Sequence, residues 1–189
     1  MKGKNFKNKI FILLMILCGH VLASDTSRIP HYDIYPPTPI VDYQAEILDF
    51  YSVKSPYGEF SNFALFPILI EGRLYQTSEH YYQSEKYLEE ELKEKVINAA
   101  TPMEAALIGR DPKFPKREDW AIHKDVAMEI AVRAKFSQYN ILQELLRSTK
   151  NSHIYEHTKN DCYWGDCFDR TGKNKLGILL MKLRAELAE

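Results

Sequence analysis

A chain of 189 residues, 45% hydrophobic and 27% charged, has the balance of a globular protein and the length for one domain with a sizeable core. Its formal net charge of −1 leaves no basic surplus, which argues against gripping extended nucleic acid by its phosphates. Three cysteines are too few for a zinc site built from cysteine alone.

The chain opens on Lys2, Lys4, Lys7 and Lys9, followed by an unbroken apolar run over 10–17, with Val21 and Ala23 at the two small-residue positions read by a signal peptidase. This pattern predicts a secretory signal peptide over 1–23, cut after Ala23, and so an exported (periplasmic or secreted) protein. The run is short for a membrane span, and an uncleaved membrane anchor is the alternative. Loss of the leader removes four lysines and no acid, leaving 21 basic against 26 acidic residues, a net −5. It also removes Cys18. Cys162 and Cys167 then either close a small disulfide loop in an oxidising compartment or stay as two free thiols.

Residues 24–45 hold Pro30, Pro36, Pro37 and Pro39, which predicts an extended arm. The folded domain is expected over 46–189. A short strand is predicted over 46–51. A turn marked by Pro56 and Gly58 follows and exposes Tyr57, Glu59 and Asn62. Two strands, 66–70 and 73–75, flank Glu71-Gly72 as a tight hairpin.

The stretch from Tyr75 to Tyr87 predicts a helix capped by Thr77 or Ser78, ending by Leu88 or running on with a break to Ala100. Glu79, Gln83 and Lys86 follow at steps of four and three, which sets an acid, an amide and an amine on one helical face. Tyr75, Tyr81, Tyr82 and Tyr87 add ring surface, and the whole suits a planar polar ligand. The same spacing also fits a surface helix with ordinary salt bridges.

Thr101-Pro102 caps and starts a further helix that stops near Gly109. Residues 110–117 form a loop rich in proline and basic residues. Trp120, Ala127, Ile130, Ala131 and Ala134 recur at helical spacing within 118–136. Another helix is predicted over 138–147, a strand over 153–157, a loop over 160–173 and a closing amphipathic helix over 174–188. The sum is an α+β domain, predominantly helical, with a small antiparallel sheet. The loop containing Asn160, Asp161, Trp164, Gly165 and Asp166 combines two carboxylates, an indole and a flexible glycine, as site-lining loops often do, although capping aspartates would look the same. No phosphate-binding glycine loop, nucleophile elbow or His-Glu-x-x-His is present, and the six histidines lack metal-ligand spacing.

Several blocks in one order resemble the NADAR family, most nearly its YbiA-type N-glycosidases: Tyr57-Gly-Glu-Phe-Ser-Asn-Phe63; Thr77-Ser-Glu-His-Tyr-Tyr-Gln83 with Lys86-Tyr87; Thr101-Pro-Met; Ile108-Gly-Arg110; Trp120; Lys135-Phe136; Glu156-His-Thr-x-Asn-Asp-x-Tyr-Trp-Gly-Asp166; Gly172-Lys-Asn-x-Leu-Gly177; and Leu180-Met-x-Leu-Arg184. The resemblance spans residue 47 to the end. It implies a YbiA-like domain and cleavage of a ribose C1–N bond, with no metal or other cofactor. The implied substrates are ribosylamino-pyrimidine phosphates of riboflavin biosynthesis or ADP-ribosylated guanine.

On that chemistry Glu79 is the principal carboxylate and Asp161 the second. Lys86 holds a phosphate or hydroxyl, or attacks an opened sugar as an amine. Trp120 and Trp164 stack on the heterocycle or close the pocket, beside Gln83. Tyr57, Glu59 and Asn62 form the entrance, Arg110, Lys173 and Asn174 meet phosphate, and Asp166 of the loop also binds substrate. A non-catalytic ADP-ribose or nucleotide binder, or a secreted interaction protein on the same scaffold, are the alternatives. The chain departs from the family where Trp-Gly-Asp166 is followed by Cys167 and Phe168 in place of glycine, which removes backbone freedom. A Cys162–Cys167 bond would compensate.

Overall fold

The computed structural model describes residues 38–41 and 44–188. The predicted leader, 1–23, lies outside the described residues, as does the predicted arm apart from 38–41 and 44–45. No helix among the described residues is long and apolar enough to cross a membrane.

The chain runs β1 (Ile47–Phe50), β2 (Ile68–Ile70), β3 (Arg73–Tyr75), α1 (Ser78–Ser84), α2 (Glu90–Ile97), α3 (Pro102–Arg110), α4 (Trp120–Gln138), α5 (Asn140–Ser148), β4 (His153–Glu156) and α6 (Lys175–Glu186), with one 3-10 turn at Gly58–Phe60. The predominantly helical α+β expectation holds. β2 and β3 form the predicted antiparallel hairpin, Ile68 opposite Tyr75. Its turn residues Glu71 and Gly72 both take positive φ, the geometry that matches the twist of two-residue hairpins. The sheet expectation needs one correction: β1 pairs with β4 in parallel, Ile47 opposite His153 and Phe50 opposite Glu156. Parallel partners need a long crossover, and here every helix from α1 to α5 lies between them.

α1 is the centre of the molecule. All seven of its residues are buried, enclosed by β3, α2, α3 and α4. A helix covered on every side has no solvated face, so the surface-helix reading of its spacing falls. Thr77 is the cap: its Oγ1 accepts from His80 N and meets His80 Nδ1 at 2.8 Å. The helix stops at Ser84, earlier than predicted. The Lys86 carbonyl accepts from Arg117 N at 2.8 Å, so the chain there is held by the 111–119 loop rather than by another helical turn.

α4 supplies the main core wall through Ala127, Met128, Ala131, Val132 and Phe136, against Leu48, Phe50, Phe60 and Ile154. One cation is built into this wall. Lys135 is 1% exposed, and its Nζ donates to the carbonyls of Glu59 (2.5 Å) and Ser61 (2.8 Å), fixing the 3-10 turn to the helix. Burial pushes its pKa down from 10.5 to about 7, opposed by the Glu59 charge. The folded pKa lies below the unfolded one, so this residue's contribution to stability is complete above 10.5 and is lost as pH falls through about 7. Lys135→Met is therefore expected to cost about 1–3 kcal/mol by orphaning the two carbonyls. It is also expected to remove the part of the rise in melting temperature between neutral and alkaline pH that Lys135 supplies, read by calorimetry at two pH values on both proteins.

Candidate functional site

Glu79 sits in the first turn of α1, 5% exposed. Its backbone N–H donates to the Asn62 carbonyl at 3.1 Å, and its Oε1 accepts from Gln83 Nε2 at 2.6 Å, one helical turn on. Burial raises the Glu79 pKa. The Gln83 bond and the charges of Arg110 and Lys86 oppose that rise, and the charge of Asp161 adds to it. α3 approaches this pair closely enough that a Cβ on Gly109 would fall 1.9 Å from Gln83 Oε1. A side chain there would push the Gln83 amide from its place beside Glu79.

Lys86, beyond the helix end, is 6% exposed. Its Nζ donates to the Gly109 carbonyl at 2.9 Å and lies 5.8 Å from the Tyr82 ring centroid and 5.7 Å from that of Trp120. Burial pushes its pKa down to about 8, with Lys116 and Arg110 acting the same way and Glu79 opposing.

Aromatic rings link this cluster to the far loop. Tyr82 lies 5.2 Å from Trp120 and 5.7 Å, edge-on, from Trp164, and Trp164 Nε1 donates to Tyr82 Oη at 3.0 Å. Burial raises the Tyr82 pKa, against the Trp164 bond, so the phenol stays a neutral donor and acceptor. The loop is seated on the end of α6: the carbonyls of Tyr163, Trp164 and Gly165 accept from Lys175, Leu176 and Asn174 N–H, satisfying orphan donors of the helix N-terminus. Asp161 Oδ1 accepts from the N–H groups of Tyr163 (2.7 Å) and Trp164 (2.8 Å).

The structure thus brings together Glu79, Gln83, Lys86, Arg110, Asp161, Trp120 and Trp164, with Asn62 at the start of the helix. Five expected residues are placed elsewhere or spent otherwise. Tyr57 is a core ring, 6% exposed and 5.5 Å from Phe60, because the 3-10 turn folds it inward. Glu59 gives both carboxylate oxygens to Thr38, N–H at 2.5 Å and Oγ1 at 2.7 Å, and so fastens the arm. Asp166 is fully buried within the loop. It accepts from Thr158 and Phe168 N–H and meets His157 Nδ1 at 2.8 Å and Arg170 at 3.4 Å. Asn174 bridges β4 and α6, its Nδ2 donating to the Ile154 carbonyl and its Oδ1 accepting from Glu156 N. Lys173 is exposed, with Nζ 5.1 Å from the Tyr163 ring centroid.

Glu156 was missed. Half-buried at the end of β4 with its Oε2 enclosed, it lies within reach of the charges of Asp161 and Glu79. The signal was present: Glu156 lies two residues after the fully buried Ile154, and alternation places both on one strand face. Among the described residues, three buried side-chain oxygens have no hydrogen-bond partner: Asn62 Oδ1, Gln83 Oε1 and Glu156 Oε2. All three belong to residues that bond to Glu79 or feel its charge. Buried polar atoms are rarely left unpaired without a reason, and acceptors of this kind are able to take a ligand's donors. No group of three His, Cys, Asp or Glu among the described residues is arranged to hold a metal ion.

These features define a polar site walled by aromatic rings and centred on a buried carboxylate. The NADAR domain family model matches residues 49–188, and the chain belongs to that family. It is 47% identical over 145 residues to the N-glycosidase YbiA of Escherichia coli, covering 77% of this chain and 91% of that one. It is 37% identical over 141 residues to an N-glycosidase of Nostoc punctiforme (73% and 90%), and 36% identical over 140 residues to a riboflavin biosynthesis protein of Vibrio vulnificus (74% and 38%). The NMR structure of E. coli YbiA superposes with a TM-score of 0.72 at 44% identity, covering 79% of this chain and 93% of that one.

Cys162 and Cys167 are joined by a disulfide across the turn that carries Trp164. Cys167 and Phe168 both have positive φ (63° and 70°), a region costly for residues with a Cβ. The cross-link holds the backbone where glycine would sit without strain. By loop closure it is worth about 2 kcal/mol. Cys162→Ser/Cys167→Ser is expected to lower the melting temperature accordingly and to make it insensitive to reductant, while Cys162→Ser/Cys167→Gly recovers part of the loss. Thermal scans with and without reductant check both.

Proposed function

We infer that this chain is an N-glycosidase that hydrolyses the C1–N bond joining a ribose to a flat nitrogenous base. It is an enzyme of the hydrolase class acting on N-glycosyl bonds, the class its relatives' names carry. One observation carries the reading at the level of the site: a buried carboxylate, Glu79, is held by Gln83 and offset by Arg110 and Lys86 where α1 and the Trp164 loop are tied together through Tyr82.

Breaking C1–N builds positive charge on the sugar and negative charge on the departing base. Glu79 faces the sugar, stabilises the developing cation and takes the proton of the attacking water. Gln83 fixes the carboxylate's orientation. Trp120 and Trp164 sandwich or cover the base, and Arg110 and Lys116, whose charges reach Lys86, attract a phosphate. The substrate we propose is a phosphorylated riboside, either a ribosylamino-pyrimidine phosphate of riboflavin biosynthesis or an ADP-ribosylated guanine. The riboflavin biosynthesis protein among the relatives favours the first. The acidic balance expected after loss of the leader disfavours extended nucleic acid as partner. Export through the leader remains our proposal for its destination, supported by a disulfide of the kind that persists in oxidising compartments.

A second route is favoured by the depressed pKa of Lys86. A buried amine near neutrality can attack C1 of the ring-opened sugar and expel the base through a Schiff base, which water then hydrolyses. Borohydride added during turnover would reduce that intermediate to a stable adduct on Lys86, visible by mass spectrometry; absence of an adduct leaves direct hydrolysis.

Glu79→Gln is expected to fold with an unchanged melting temperature or a higher one, since it removes a desolvated charge, and to lose about 10²–10³-fold or more in kcat. Chromatography of the base released from each proposed substrate measures this. Undiminished turnover in that variant refutes Glu79's role.

A further inference from the structure

We propose that Glu156 is the acid that protonates the leaving base, a role resting on the glycosidase reading and adding a second catalytic residue to it. Three carboxylates crowd this site, and they are not equivalent. Glu79 has a donor, Gln83, and two cations acting on it. Asp161 accepts two N–H groups through one oxygen. Glu156 has neither. Its Oε2 is buried without a partner, and the charged neighbours that act on it are Asp161, Glu79 and Asp166, all of its own sign. His157, next in sequence, is engaged with Asp166 and offers no compensation.

Like charges in a shared low-dielectric space cannot all be ionised, and the proton goes to the group with least support. Burial first, then those neighbours, raise the Glu156 pKa to about 8. At neutral pH it therefore carries a proton, on a carboxyl whose Oε2 has no partner inside the protein, while at Glu79, which burial also raises, the Gln83 bond and two cations work against that rise. Two like groups in differently supported surroundings become an acid and a base.

The backbone of Glu156 is immobilised for the task. Its N–H donates to Asn174 Oδ1 at 3.1 Å, its carbonyl accepts from Asp166 N at 3.0 Å, and its strand pairs with β1. This gives Asp166 and Asn174 positioning duties in place of the substrate contacts expected of them.

The step balances as a hydrolysis. The C1–N bond breaks and its electron pair stays on nitrogen, which takes the Glu156 proton. The water oxygen bonds to C1 and its proton passes to Glu79. Glu79 then returns that proton to solvent, and Glu156 takes one back.

Two measurements test this on the folded enzyme. With glutamate carboxyl carbons labelled by 13C, NMR is expected to show a carboxyl still protonated at neutral pH that disappears in Glu156→Gln. If no protonated carboxyl is lost with that substitution, the proposal fails. Kinetically, Glu156→Gln is expected to lose ~10²–10⁴-fold in kcat on a neutral-base riboside. The loss should be less than about tenfold on nicotinamide mononucleotide, whose pyridinium nitrogen departs without needing a proton. A merely structural role would cut both substrates alike, and that result, or kcat within threefold of the parent on the neutral base, overturns the assignment of Glu156 alone. Failure of the unmodified enzyme to release base from any of these compounds would instead remove the glycosidase reading itself.

Discussion

The rest of this structure depends on the cost of keeping a carboxylate inside it. Glu79 lies on a helix with no solvated face, and an unaccompanied charge there would cost several kcal/mol. The fold surrounds it with compensation. Gln83 donates across one helical turn, the missing side chain at Gly109 lets α3 close over that amide, and Arg110 and Lys86 bring positive charge within reach. Thr77 caps the helix so that Glu79 lies in its first turn, at the positive end of the helix dipole, where an acid is favoured. Packing, capping and electrostatics therefore all converge on one side chain.

The same desolvation that strains the site makes it selective among identical groups. Side chains with the same ordinary titration range are pulled apart by their neighbours. Burial carries Lys86 down towards neutrality and Glu156 up towards it, so an amine and a carboxyl both become able to exchange protons near pH 7. Lys135 shows that a depressed amine is not by itself a catalytic sign. It is as buried as any group in the site, yet both of its bonds go to backbone carbonyls of one turn, and it acts as a clamp. What separates the two cases is the company: Lys86 lies among Glu79, Trp120 and Arg110, Lys135 among core rings.

The loop from Asn160 to Asn174 solves a different problem. It must bring Asp161 and Trp164 to α1 from a distant part of the chain without strands or helices of its own. Asp161 and Asp166 bond its backbone from within, α6 receives its carbonyls, and the Cys162–Cys167 bond holds a left-handed turn that glycine would otherwise favour. Asp166 looked like a ligand contact because it stands in a loop that mixes carboxylates, an indole and a flexible glycine. It proved to be the residue that makes the loop a defined shape.

The amino-acid sequence determined what local chemistry can specify. The Thr77 and Thr101 caps, the Glu71-Gly72 hairpin, the apolar periodicity of α4 and the pairing capacity of Cys162 with Cys167 are all written within a few residues of where they act. The helical spacing of Glu79 and Gln83 put them on one face, and ordered motif blocks carried the family. Tertiary structure alone decided that β1 pairs with β4, that Tyr57 and Glu59 serve the core and the arm, and that Glu156 comes within reach of the charge of Glu79. These are contacts between segments joined by long stretches of chain. Burial, and the protonation states that follow from it, depend on what surrounds a side chain in space, which neither its identity nor its neighbours along the polypeptide record.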